Sequence, residues 1–335
     1  MNENNNILQD KFGRDHTYLR ISLIERCNLR CSYCMPAEGI PLTPKSHLMT
    51  YEEICEIAKT FVKHGVTKIR LTGGEPLVRK DFPVVLEKLA TLPVELSITS
   101  NAVIIDKFID VLKLNGVNKI NVSLDSLNET KFKHITRRNE FKKVYDNILL
   151  LVKEGFTVKV NAVLMKGFND NEIIDFINFT KDLPVSVRFI EFMPFDGNKW
   201  DMSKMVSYAE VMEHVNASFS EGEIVRLKDA PNDTSKNYKI KGYKGSFAVI
   251  SSVTNPFCDS CNRLRLTANG QLKNCLFSSS ESNLLTTFRA GKPIEPIINK
   301  AVSAKLKMRG GMDTLKKLKE PKLHNNNRSM IAIGG

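Results

Sequence analysis

Six short runs in the first two thirds of the chain alternate apolar and polar residues with a period of two, and segments long enough to be helices separate them. The runs cover 18–23, 68–72, 94–99, 119–124, 157–164 and 185–192. Between the first two, Thr50 is followed three residues on by Glu53, a capping-box pattern, and Ile54, Ile57, Ala58, Phe61 and Val62 form an apolar stripe that Gly65 brings to a stop. Crossovers of this length join parallel strands right-handedly, so the class is α/β, a sheet or partial barrel.

The alternation also orients the strands. Parallel strands covered on both faces usually read as continuous apolar runs. Here Leu19, Ile21 and Leu23 interleave with Arg20 and Ser22, Ile69 and Leu71 with Lys68, Arg70 and Thr72, and Leu96 and Ile98 with Ser97 and Thr99. Ile120 and Val122 interleave with Asn121 and Ser123, Val158 and Val160 with Lys159 and Asn161, and Arg188 stands between Val187 and Phe189. If outer helices take the apolar face, the polar face lines an interior holding Arg20, Lys68, Arg70, Lys159 and Arg188. Such a cavity calls for an anionic occupant. An antiparallel sheet with one solvated face would give the same alternation, but the helix-length crossovers argue against hairpins.

Charge fits the same picture. Across 335 residues, 49 Lys and Arg against 37 Asp and Glu leave a net +12, which suits a nucleic acid, a phosphorylated small molecule or an acidic membrane. Residues 1–16 are polar and Asn-rich with no apolar signal region, and nowhere do about 18 apolar residues run together, so a cytoplasmic protein without a membrane partner is expected. The organisation expected is a mobile N-terminal segment over 1–17, a barrel over 18–195, an α+β domain over 196–325 and a tail over 326–335 ending in Gly334-Gly335. In the third segment 208–217 and 293–308 read as helices, while 236–253 and 264–276 read as strands and hairpins with a turn at Asn269-Gly270.

Six of the seven cysteines fall in two triplets. Cys27, Cys31 and Cys34 lie in the loop after the first strand, at the carboxyl end where the sites of βα barrels sit. Three thiolates fall short of the four protein ligands of a structural zinc site, but they can hold three irons of a 4Fe-4S cluster and leave the fourth open. Cys258, Cys261 and Cys275 form a second set of three, and two residues after Cys261 comes Arg263-Leu264-Arg265, whose two guanidiniums point the same way on a strand and suit phosphate. A zinc ribbon lacking one ligand beside a solvated basic strand is the alternative. Cys55 belongs to neither triplet and borders the apolar stripe of its helix as a buried free thiol.

The first triplet, with Tyr33 just before its last cysteine, and Gly73-Gly74-Glu75-Pro76 after the second strand resemble the signature of the radical S-adenosylmethionine (SAM) superfamily. Both triplets together, with Cys-x-Arg-x-Arg from Cys261 and the Gly-Gly end, resemble the GTP 3′,8-cyclase family of molybdenum cofactor biosynthesis from about Asp15 onward. The resemblance implies a partial (βα)6 TIM-type barrel with a C-terminal α+β extension, two 4Fe-4S clusters and SAM. An electron from the reduced first cluster would cleave SAM to a 5′-deoxyadenosyl radical, which takes hydrogen from ribose C3′ of GTP before that carbon attacks guanine C8. It further implies SAM contacts at Tyr33, Gly73, Gly74, Glu75, Ser123 and Met193, and GTP contacts at Arg20, Arg70, Thr99, Lys159, Arg263, Leu264 and Arg265 with Lys68 and Arg188 in addition. The implied partners are a flavodoxin- or ferredoxin-type one-electron donor and the synthase that makes cyclic pyranopterin monophosphate, with no DNA or RNA. The oligomeric state stays open, a homodimer among the options. Ala102 stands where the family usually has Gly, and the aromatic usual before Ile-Gly-Gly is missing at Ala332. Two rivals remain: a peptide maturase of the same superfamily, which usually carries more C-terminal cysteines, and a zinc-dependent nucleic-acid-binding module.

Overall fold

The computed structural model describes residues 6–36, 39–320, 323 and 327–334. Twelve strands form one sheet: β1 Tyr18–Ser22, β2 Lys68–Thr72, β3 Glu95–Ser100, β4 Lys119–Ser123, β5 Thr157–Leu164, β6 Ser186–Glu191, β7 Ile224–Arg226, β8 Lys236–Ile240, β9 Ser246–Ile250, β10 Arg263–Leu266, β11 Gln271–Lys273 and β12 Ser282–Asn283. β1 to β6 pair in parallel in chain order, each reached through a helical crossover. These are the six strands that the alternation marks, and the fold is the expected partial barrel.

The third segment does not build a sheet of its own. β10 adds in parallel to the free edge of β1, and β9 adds in parallel to the free edge of β6. Antiparallel strands β11 and β12 continue one side, β8 and β7 the other. The β10–β11 hairpin turns at Asn269-Gly270, with Gly270 at φ +70°. Eight parallel strands therefore surround the interior, two more than the first 195 residues supply.

The apolar set packs outward under the helices. Leu19, Ile21, Ile69, Leu71, Ile98, Ile120, Val158, Val160, Val187 and Phe189 share one core with Ile54, Ile57 and Phe61 of helix Tyr51–Lys63 and with Val144, Ile148 and Leu151 of helix Phe141–Lys153. Thr50 caps the first of these helices: its hydroxyl accepts from Glu53 N and the Glu53 carboxylate accepts from Thr50 N. Thr50→Ala is expected to cost about 1 kcal/mol in a denaturant titration. Cys55 lies in this core.

One local expectation needs correction. Residues 6–17 are not loose: Leu8, Asp10, Arg14 and His16 are buried, and the Arg14 guanidinium donates to the carbonyls of Cys258 and Lys307, each at 2.8 Å. Their Asn-rich composition suggests mobility, but the Asp10–Arg14 pair at 2.6 Å makes a compact turn that docks on the second cysteine loop. Ala102 adopts φ +60° despite its side chain, held by N–H donation to Ser100 Oγ at 2.9 Å and by Asn147 Nδ2 donating to its carbonyl at 2.7 Å. Those bonds offset a left-handed penalty of about 1–2 kcal/mol.

Candidate active site

The polar faces of β1 to β6 look into the interior at the carboxyl ends of the strands, where two adjoining cavities of about 100 and 190 Å³ open. The first is bordered by Cys27, Cys31, Cys34, Tyr33, Gly73, Gly74, Ser123 and Asp125. The second is bordered by Cys258, Cys261, Cys275, Arg20, Arg70, Arg188, Arg263, Arg265 and Met193. Thr99 and Met330 face both.

The glycine pair explains how the first cavity holds its shape. A Cβ on Gly73 would stand 2.6 Å from Ile24 O, and one on Gly74 2.4 Å from Arg26 O. Without them the loop after β2 lies directly on the segment leading into Cys27, with Gly74 N donating to Ile24 O at 2.7 Å and Glu75 N to Arg26 O at 2.9 Å. Glu75 lies beneath the cavity rather than in it. Its buried carboxylate accepts from Leu77 N, Ser100 Oγ and Asn101 N, tying that loop to the end of β3, while burial pushes its pKa up to about 7. Tyr33 OH donates to Asp125 at 2.8 Å, and Val163 N donates to the same carboxylate, so the cysteine loop is fastened to β4 and β5. The alternation stops short of Asp125, just past β4; a buried acid at a strand's carboxyl end is the signal it leaves.

Five of the six triplet thiols are pushed above their ordinary value, with burial the first cause, and Cys261 alone is lowered. Burial, then the carboxylate of Glu75, pushes Cys27 up to about 11; burial, then Cys34 and Asp125, pushes Cys31 up. Cys261 moves the other way: burial raises it, but Lys305 and Arg263 outweigh that and bring it to about 6. In each triplet sulfur accepts N–H bonds, Cys27 Sγ from Leu29 N at 3.4 Å and Asn101 Nδ2 at 3.5 Å, Cys258 Sγ from Arg309 N at 3.4 Å. Among the described residues no three His, Cys, Asp or Glu side chains close on a single ion. Three sulfurs spread around a cavity and bonded by N–H groups are a donor set that fits an iron-sulfur cluster.

The second cavity is crowded with like charge. Arg20, Arg70, Arg188, Arg263 and Arg265 have no ion-pair partner among the described residues. Arg20 Nε, Arg188 Nε, Arg263 Nη2 and Arg309 Nε are buried N–H groups without an acceptor, and Asn161 Oδ1 is a buried acceptor without a donor. Burial, with Arg20 and Arg188 nearby, lowers Arg70 to about 10, and burial with Arg188 and Arg70 lowers Lys159 to about 8. Buried unpaired donors are costly, and a polyphosphate would satisfy them. Arg265 faces Arg20 across β1–β10, and its Nη1 donates to the carbonyl of Gly334. The tail thus reaches the site: a Cβ on Gly334 would stand 2.6 Å from Thr72 Oγ1. Gly335 lies outside the described residues.

Besides Glu75, four expected residues stand apart. Lys68 pairs with Glu95 at 2.7 Å and lies over the Tyr18 ring, near the amino ends of the strands. Lys159 is two residues nearer the amino end than cavity-lining Asn161 and borders neither cavity. Leu264, between the two arginines of β10, faces the opposite way and is wholly buried in the core. Met193, expected beside SAM, borders the second cavity. Asn121, Lys273, Asn274 and Arg309 were not expected there and line the second cavity too; Asn121 at least was visible in the alternation.

His16 connects the N-terminal segment to this wall. Its Nδ1–H donates to Leu8 O at 2.8 Å, leaving Nε2 to accept from Lys305 at 2.8 Å. Burial, then the Lys305 charge, pulls the imidazole down to about 4 from 6.5. As pH falls through that window the unfolded chain binds the proton first, so stability is expected to decline by up to about 3 kcal/mol between 6.5 and 4. His16→Gln should flatten that part of an acid-unfolding profile followed by circular dichroism.

The sequence profile of the radical SAM superfamily matches residues 21–180, and that of molybdenum cofactor synthesis C matches residues 185–310. The chain is 48% identical to "GTP 3′,8-cyclase, mitochondrial" of Arabidopsis thaliana, over 98% of this chain and 84% of that protein. It is 43% identical to a GTP 3′,8-cyclase of Listeria monocytogenes, over 89% of this chain and 91% of that one. With human molybdenum cofactor biosynthesis protein 1 it shares 46% identity over 97% of its own length but spans only about half, 51%, of that relative. Among solved structures, Streptococcus suis SuiB matches with a TM-score of 0.64 at 16% identity, over 89% of this chain and 69% of that one, a likeness of fold. Among the described residues no helix is long and apolar enough to cross a membrane.

Proposed function

The chain belongs to the GTP 3′,8-cyclase family of the radical SAM superfamily, and from that premise we propose that it converts GTP to 3′,8-cyclo-7,8-dihydro-GTP, the first step of molybdenum cofactor biosynthesis. The observation that carries this reading is the pair of cavities meeting at Thr99 and Met330, one walled by the first cysteine triplet and the glycine loop, the other by the second triplet and five arginines. Cys27, Cys31 and Cys34 would hold a 4Fe-4S cluster with SAM beside Gly73, Gly74, Tyr33 and Ser123; Cys258, Cys261 and Cys275 would hold a second. When bound, cluster and SAM supply the electron and the carbon-centred radical that removes hydrogen from the ribose.

The chain's own residues provide placement. Arg20, Arg70, Arg188, Arg263 and Arg265 offer the triphosphate a set of donors that need no reorganisation. With a triphosphate on them the nucleoside would extend toward Thr99 and Met330, which border both cavities. Tyr33 and Glu75 hold the cysteine and glycine loops in register, and the buried tail segment through Gly334 keeps water from that boundary. An external flavodoxin- or ferredoxin-type donor, a synthase consuming the product and a cytoplasmic location belong to the same proposal.

The test is anaerobic reconstitution, counting of iron and sulfide, and analysis of the nucleotide products with GTP, SAM and a strong reductant. About eight irons per chain, with cyclised GTP and 5′-deoxyadenosine formed together, are expected. Eight irons with SAM cleaved but GTP unchanged would remove the substrate assignment.

A further inference from the structure

Lys305 follows helix Glu295–Ser303, and its ammonium is enclosed, with only 2% of the residue exposed. It donates to His16 Nε2 at 2.8 Å, Arg263 O at 3.0 Å and Cys261 Sγ at 3.5 Å, which uses all three of its hydrogens. Among the described residues no carboxylate pairs with it. Asp10 approaches His16 Nε2 at 3.7 Å but is bonded to Arg14 at 2.6 Å. A buried ammonium is stable only with a compensating charge, and of its three acceptors only the sulfur can carry one.

The surroundings of the two triplets differ in sign. The carboxylates of Asp125 and Glu75 act on the first, with Arg30 the cation among its neighbours. Lys305, Arg263, Arg265 and Arg309 act on the second. A cluster gains negative charge on reduction, so nearby cations favour its reduced form and nearby carboxylates oppose it.

We infer that Lys305 is the charge partner of the cluster held by Cys258, Cys261 and Cys275, and that it sets the reduction potential of that cluster above that of the cluster held by Cys27, Cys31 and Cys34. The inference rests on the two-cluster reading given above. Lys305 is a positioning residue, fixed in place by His16 and by the carbonyl of Arg263.

The experiment is a potentiometric titration of the reconstituted holoenzyme followed by electron paramagnetic resonance, on the wild type, Lys305→Gln, Lys305→Met and Lys305→Arg. In the wild type the second cluster is expected to be reduced at the higher potential. Gln and Met should move it to a more negative value while leaving the first cluster unchanged, and Arg should keep it near the wild-type position. Selective loss of the second cluster in Gln or Met, with SAM cleavage in the absence of GTP intact, would equally assign Lys305 to that cluster. Full iron content with an unchanged second potential, both potentials moving together, or Arg shifting it as far as Gln would overturn the inference. A wild type holding four irons rather than eight would overturn the two-cluster reading itself, an outcome distinct from any of these.

Discussion

Arg265→Ala is expected to weaken GTP binding by about ten- to a hundredfold, read by equilibrium titration under anaerobic conditions, while SAM cleavage without GTP survives. Arg265 is buried, faces Arg20 across the β1–β10 pair and has no carboxylate partner among the described residues. Its contribution to a bound triphosphate is therefore charge-assisted hydrogen bonding in a dry site, worth about 1.5–3 kcal/mol when removed. It borders the second cavity and not the first, so the SAM side should be spared. Arg265→Lys should recover only part of the affinity, because an ammonium lacks the guanidinium fork. Unchanged affinity in Arg265→Ala would remove the residue from the substrate site.

Gly74→Ala should have the larger effect on chemistry. The added methyl would stand 2.4 Å from Arg26 O and 2.7 Å from Arg26 C, atoms of the backbone that cannot swing aside as a flexible side chain would. Relief requires the glycine loop to lift off the segment next to Cys27, breaking the bonds from Gly74 N and Glu75 N. We expect the four irons of the first cluster to be retained poorly and SAM cleavage to fall by roughly a hundredfold or more, the scale of a displacement of about 1 Å at a reacting centre. Iron at the second triplet should be unaffected. Gly222→Ala, where a methyl meets nothing within 4 Å, is the control and should match the wild type.

Much of this was legible in the residues because the strongest signals are local. Strands β2 and β5 fall on the limits that the period of two gives, and Arg20, Arg70 and Arg188 face the interior because their apolar neighbours Leu19, Ile69 and Val187 must face the helices. What stayed hidden depends on pairing between distant segments. Lys68 has the same alternation as Arg70, yet Glu95 on the neighbouring strand neutralises it, and only the β2–β3 register reveals that. Leu264 was grouped with its flanking arginines as a motif, whereas the pleat places it on the other face. Lys305, near the end of the helix read over 293–308, gave no sign of meeting His16 and Cys261.

The attachment of β10 to β1 and of β9 to β6 has a consequence for how the molecule is made. β1 completes its hydrogen bonds only when residues near the far end of the chain arrive, so a large part of the parallel sheet consists of contacts between remote segments. Such topologies form slowly, because loop closure precedes any gain from pairing. During synthesis a ribosome-bound barrel of six strands would expose two bare parallel edges, the kind of surface that aggregates unless something covers it.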